Sequence, residues 1–228
     1  MKGRRRARPS RKKIKSGVVA GDLLPISLPA PRIDRRKTLS AALKKRRTTR
    51  TVRGMRLPLQ VLSNLLWAAF GVNRRKGPFG VPGRTAGSAS NSREIDLYVA
   101  LAEGTYLYDA ESHKLIPVTK ADLRAFAIGP GQMEAGANAP VRLIYIVDID
   151  KFSRAGFQEP GLYDPEIQKS YYYVDTGLIA ENVYLFASSH GLAVWFHNCN
   201  RRALAKKLNL GPDQRPLFGQ TIGYAAKG

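Results

Sequence analysis

Residues 44–50 read KKRRTTR, five cations and two hydroxyls in seven positions. An arginine guanidinium is a planar fork of donors that can grip two oxygens of one phosphate or carboxylate, and a threonine hydroxyl adds a short donor. On an extended segment Arg46, Thr48 and Arg50 stand at i, i+2 and i+4 and point to one side, so with Arg47 they form a candidate oxyanion socket. A plainer reading stands beside it. Cations in the last turn of a helix complement its dipole, and the threonines that follow are ordinary loop formers.

Other chemistry finds less support. The single cysteine, Cys199, excludes an intrachain disulfide or a multi-cysteine metal cluster. Of His113, His190 and His197 only the last two are near each other, at a spacing of seven, and they make no zinc set. The stretch GPFGVPG has the wrong glycine spacing for a phosphate-binding loop, and neither a GxGxxG nor a GxxxxGK[ST] motif is present.

The elements that would carry the socket can be read from periodicity. TLSAALKKRR begins at Thr38 with a helix-start signal and places Leu39, Ala42 and Leu43 on one face. After Pro58, Leu59, Leu62, Leu66 and Ala69 predict a second helix that stops at Gly71. A long Gly/Pro/Ser-rich loop, GPFGVPGRTAGSASNS, comes next. EIDLYVAL and GTYLYDAESHKLIPV read as strands, the latter as a hairpin, and KADLRAFAI reads as a short helix. APVRLIYIVDI is a nearly continuous apolar run and predicts a buried strand. YVDTGLIAENVYLFASSHG reads as a long apolar helix, LAVWF as a strand, RRALAKKLNL as the last helix and LFGQTIGYA as the last strand. This order predicts an α+β fold, with a mostly antiparallel central sheet flanked by helices.

The charge is concentrated at the front. Of a net +21, residues 1–56 hold twenty Lys/Arg against two acids, and the remainder holds eighteen against fifteen. Residues 1–25 therefore read as a basic, disordered tail and residues 26–228 as the folded domain. The tail could serve a nucleic-acid-binding arm. Against that use, residues 57–228 are almost neutral and carry no recognisable nucleic-acid module. SRKKIKSGVVAGDLLPISLPA also has the outline of a twin-arginine export signal, with Lys12-Lys13 in place of the arginine pair and Asp22 and Pro25 breaking its apolar part. The expected location is cytoplasmic, with export as the alternative, and no apolar run is long enough to span a bilayer.

Taken in order, RRTTR at 46–50, LSNLLWAAFG at 62–71, RTAGSASNSREIDLYVA at 84–100, TYLYDAESHKLIPV at 105–118, DTGLIAENVYLFASSHGLA at 175–193 and GQTIGY at 219–224 resemble the nitroreductase flavoprotein family. Its SagB-type dehydrogenase branch is the nearest match, and the resemblance runs from about residue 26 to the C-terminus. It implies a nitroreductase-like fold and an FMN-dependent oxidoreductase working as an intertwined homodimer. The reaction implied moves a hydride from NAD(P)H through flavin to a nitroaromatic, a quinone or a similar small acceptor. SagB-type relatives imply a second substrate class, peptide azolines oxidised alongside a partner cyclodehydratase.

By the same resemblance the FMN phosphate falls to Arg46, Arg47, Thr48 and Arg50. The loop that wraps the ring and ribityl chain maps to Ser88, Ala89 and Asn91, with Gly87 standing where the family usually has proline. The backbone donor to flavin N5 maps to Phe196, His197 or Asn198, with His197 and Asn198 standing where a glycine is common in relatives. No catalytic acid or base is implied, because hydride passes directly and positioning carries the work.

Overall fold

The computed structural model describes residues 23–77, 80–132 and 138–226. The first helix, α1 (Leu39–Lys45), starts where Thr38 accepts the Ala41 amide on its hydroxyl at 3.3 Å, and ends with Lys44 and Lys45 at its negative pole. The second, α2 (Leu59–Phe70), follows Pro58 and stops at Gly71. A Cβ on Gly71 would lie 2.5 Å from the Trp67 ring and 2.6 Å from its backbone, so only glycine lets the chain turn there.

The described residues hold nine strands. They are β1 (Ile26–Ser27), β2 (Val72–Arg74), β3 (Gly83–Arg84), β4 (Ile95–Leu101), β5 (Gly104–Asp109), β6 (Lys114–Thr119), β7 (Val141–Asp148), β8 (Leu192–His197) and β9 (Gln214–Tyr224), of which β4 to β9 come in the expected order. Seven of the nine form one sheet in the order β1-β6-β5-β4-β7-β9-β8, with every pairing antiparallel. The strands β2 and β3 make a separate small ribbon, with β2 just ahead of the expected loop and β3 inside it.

The period of two sorts the sheet's faces. Ile95, Leu97 and Val99 of β4, with Leu143, Tyr145 and Val147 of β7, enter the larger core beneath the helices α2 and α3 (Pro165–His190). Tyr98, Ala100, Ile144 and Ile146 face the other way and pack with Leu204 and Leu208 around α4 (Arg201–Lys207). At 26 residues α3 is the longest element, roughly 39 Å at about 1.5 Å per residue. It begins well before the apolar stretch that predicts it. Asp164 accepts the Glu166 and Ile167 amides, and Pro165 sits at the first helical position, so a cap starts the helix eight residues before the stretch that predicts it.

One predicted element is corrected. Residues 120–128 form a turn rather than a short helix, with the Phe126 and Ala127 amides both donating to the Leu123 carbonyl. The Arg124 carbonyl accepts from Arg142 and the Phe126 carbonyl from the Asn200 amide. Those tertiary bonds claim the acceptors that a second helical turn would need, and Gly129-Pro130 follows at once. The expected tail lies outside the described residues through position 22. Leu23 already packs against the core, and β1 opens at Ile26. Among the described residues no helix is long and apolar enough to cross a membrane.

Candidate functional site

The basic segment after α1 runs as an extended strap along the edge of the sheet. The Thr49 amide donates to the Val194 carbonyl at 2.9 Å, Arg53 to Tyr224 at 2.9 Å, and Ala226 to Thr51 at 3.1 Å. Extension is what the i, i+2, i+4 reading of the socket required, so the helix ends before the socket begins. Arg46, Arg47, Thr48 and Arg50 are all exposed. The Arg46 guanidinium lies 5.5 Å from the Tyr184 ring centre, and that of Arg50 lies 5.3 Å from Trp195. Stacking on aromatic faces fixes a guanidinium's plane while leaving its edge donors available.

A single phenol ties the strap to the end of β8. The Thr48 hydroxyl stands 3.1 Å from the Tyr184 hydroxyl, which accepts the Phe196 amide at 3.0 Å. Expected phosphate residues and the expected N5 segment are therefore neighbours, joined through a residue of α3. Sequence reasoning did not single out Tyr184, since it sits within an apolar helix and reads as core.

The same bond narrows the choice among the three amides. The Phe196 amide is taken by Tyr184. In an antiparallel ladder successive amides alternate sides, so the His197 amide turns toward β9, where His197 opposes Gly219. The Asn198 amide, one step beyond the strand, has neither commitment. The His197 ring is buried on the sheet's other face, with Nε2 2.8 Å from the Thr221 hydroxyl and Nδ1 2.9 Å from the Asn198 carbonyl. Nδ1 then donates and Nε2 accepts. Burial pushes its pKa down to about 4, against the Asn198 carbonyl, which favours the cation. It is a neutral structural group at neutral pH. Space there is tight, as a Cβ on Gly219 would fall 1.9 Å from the Ala127 carbonyl oxygen and 2.9 Å from the His197 ring.

Ser88, Ala89 and Asn91 form a second group. They lie in a loop whose Ser90, Asn91 and Arg93 all take left-handed backbone angles, φ 49°, 56° and 51°. Such angles persist where neighbours hold them. The Ala89 amide donates to Asp175 at 2.8 Å, Arg93 to the Ser88 hydroxyl at 3.1 Å, and the Ser90 hydroxyl to Glu159 at 2.7 Å. The Asn91 amide oxygen accepts from Arg93 Nε at 3.2 Å. Beneath the loop Glu94 and Asp175 are buried together, and Ser92 donates to Glu94 at 2.6 Å. Burial, and then the neighbouring Asp175 charge, push Glu94 up to about 8; burial also raises Asp175. A pKa near 8 keeps Glu94 largely protonated at neutral pH, so the two buried acids do not carry two full charges. An acid within the largely apolar stretch 173–190 of α3 and another at the head of an apolar strand were the available signals for the pair.

Asp175 and Tyr184 are nine residues apart on α3, roughly 13 Å along the helix at about 1.5 Å per residue. Within one chain the expected residues thus make two groups, the strap with the end of β8 and the loop over Asp175.

Residues 43–224 match the Nitroreductase family, and the chain belongs to it. A Methanocaldococcus jannaschii protein described as a nitroreductase is 30% identical over 179 residues, covering 75% of this chain and 82% of that protein. A crystal structure from Ralstonia eutropha JMP134, also described as a nitroreductase, is 35% identical, covers 90% of both chains and superposes with a TM-score of 0.76. The Escherichia coli microcin synthetase complex McbBCD shares the fold at 18% identity, with a TM-score of 0.66 over 87% of this chain and 75% of that one. The nitroreductase family is one of oxidoreductases, and the observed α+β architecture with its antiparallel sheet agrees with the fold expected from the sequence.

Proposed function

We propose that this chain is an FMN-dependent oxidoreductase that accepts hydride from NAD(P)H and passes two electrons to a nitroaromatic, a quinone or a similar small acceptor. The observation that carries the reading is the Thr48–Tyr184–Phe196 bridge, which sets an exposed arginine strap beside the end of β8. The residues fit the group. Arg46 and Arg50 are stacked and oriented, and the donors of the strap suit a terminal phosphate. FMN, when bound, supplies reversible two-electron chemistry. Arg46, Arg47, Thr48 and Arg50 would hold its phosphate, and the Asn198 amide would be the donor toward the ring. Tyr184 keeps the two parts in register, and positioning rather than acid–base chemistry is what the chain contributes.

The reading includes a homodimer. Ser88, Ala89 and Asn91 lie apart from the strap in one chain, as they would if a second copy completed the site. Ile167, Val174 and Leu178 are exposed along α3, and Leu39 and Leu43 along α1, apolar faces that a second copy would cover. Asn182, a polar group in α3, is satisfied within its own chain by the Ala69 and Thr85 carbonyls at 3.4 and 3.3 Å.

Denaturing the purified protein and separating the released flavin by chromatography tests the cofactor. FMN is the expected product. FAD, or no flavin after reconstitution, would sink the proposal. The shared fold of the microcin synthetase complex, solved with a truncated pro-MccB17 bound, keeps a peptide-oxidising alternative in view. NAD(P)H-driven reduction of quinone by the chain alone favours the first reading; flavin reduction by a peptide azoline, and not by NAD(P)H, favours the second.

A further inference from the structure

A cleft of about 400 Å³ opens beside the 91–93 turn, floored by Phe70, Ile95 and Leu97 and lined by Arg84, Arg93, Lys151 and Arg154. Its cations are not equivalent. Lys151 is satisfied by Asp96 at 2.6 Å, and Arg154 by Asp150 at 3.0 Å. Arg93 donates to the Asn91 amide oxygen and the Pro82 carbonyl, and its charge is met by Glu111 at 3.5 Å; the Arg93 side chain is 15% exposed whereas that of Glu111 is 53% exposed. Arg84 gives one hydrogen bond, to the Phe70 carbonyl at 3.3 Å, and its guanidinium lies over the Phe70 ring. Its buried Nε has no partner among the described residues.

Two guanidiniums thus stand in one cleft; its acids are Asp96, already paired with Lys151, and the half-exposed Glu111, which pairs only with Arg93. Burial, and then the charge of Arg93, depress the pKa of Arg84; burial does the same to Arg93, with Glu111 opposing it. Desolvating like charges side by side is costly unless an anion joins them. Phe70, Ile95, Leu97 and Tyr108 make part of the lining apolar and aromatic, which suits the body of an organic anion better than a hydrated inorganic ion.

We propose that this cleft binds an organic oxyanion, a carboxylate or phosphate on a flat apolar body, with Arg84 and Arg93 gripping the oxyanion and Phe70 and Leu97 contacting the body. Glu111 competes with the ligand for Arg93 and so sets the affinity. The site stands whether or not the chain carries flavin.

Calorimetric titration of the full-length, FMN-supplemented protein tests it, with benzoate, phenyl phosphate and neutral benzyl alcohol as probes. At least one acid should bind about tenfold or more tightly than benzyl alcohol, and the tighter of the two identifies the head group. Arg93→Gln should weaken that acid about tenfold, and Glu111→Gln should tighten it severalfold. Arg93 also holds the Pro82 carbonyl, so its variant could fail to fold; Glu111 is exposed, and its variant then decides alone. Equal binding of the neutral probe, or no gain from Glu111→Gln, would overturn the proposal. So would a response abolished by Arg47→Gln, which would place the anion on the strap. Heat is the readout, so a protein that held no flavin would give the same isotherm.

Discussion

The strap and the loop are both rich in charge, and they handle it in opposite ways. On the strap Arg46 and Arg50 lie exposed on the faces of Tyr184 and Trp195, held in place by backbone bonds to the sheet edge. Around the loop the charges are inside: Glu94 and Asp175 are buried beneath it, and Arg84 and Arg93 are sunk in the cleft beside it. Exposed cations cost little to keep and act on whatever approaches them, with an attraction that salt weakens. Buried ones bear on the fold itself. Substitutions on the strap should therefore change ligand affinity with little change in stability, and substitutions under the loop should do the reverse.

The largest expected effect is on the strap. Arg50→Ala should weaken FMN by roughly tenfold to a hundredfold, about 1.5–3 kcal/mol for a lost charge-assisted bond to phosphate, while the melting temperature of the flavin-free protein stays put. Neutralising Arg5 or Lys12 should do far less, and equal losses at all three would mean that the charge acts only diffusely. Fluorescence titration with FMN measures all of these.

Next comes the face that a second copy would cover. Leu178→Glu puts a charge on the exposed apolar stripe of α3, and light scattering should show dissociation together with weakened flavin retention. A monomer that still holds FMN with unchanged affinity would refute the shared site. Tyr184→Phe removes the hydroxyl that joins Thr48 to the Phe196 amide and should cost about 1 kcal/mol in denaturant unfolding. Flavin affinity should fall with it, because here, unlike at Arg50, strap and fold are one structure.

The smallest effect at neutral pH sharpens the contrast from the other side. Glu94 is held near 8 in the fold against about 4.3 in an unfolded chain, so between those values the native state binds the extra proton. Stability from this group is complete below the lower value, declines as pH rises through the window and levels off above about 8. Asp175, also raised, acts in the same sense. Glu94→Gln keeps a neutral group there and should flatten that decline, measured as denaturant midpoints between pH 5 and pH 9. A decline of unchanged steepness would show that the pair is not the source.

The parts that sequence made legible were those whose information is local. The helix α2 carries strong periodicity, and β4 and β7 stand out as apolar runs buried on both faces. Arg46, Thr48 and Arg50 are contiguous, so an extended backbone alone aligns them. The strap's anchor was not legible, since Tyr184 lies 136 residues from Thr48 and nothing local marks that phenol as more than core. Glu94 and Asp175 are likewise joined only by the fold. The turn at 120–128 was misread for the same reason, because its carbonyls are claimed by Arg142 and Asn200 from elsewhere in the chain.

The outer side of β8 has a further consequence. It is the last strand of the sheet, and an uncovered edge offers its amides and carbonyls to any extended chain that drifts past, which is how fibres begin. Here the outward Val194 carbonyl is taken by the Thr49 amide, and the outward Phe196 amide by a side-chain hydroxyl that cannot itself be extended into another strand. Tyr184 therefore ends the ladder as well as joining the strap to it, and a protein that lost that hydroxyl would gain a growing point for aggregation.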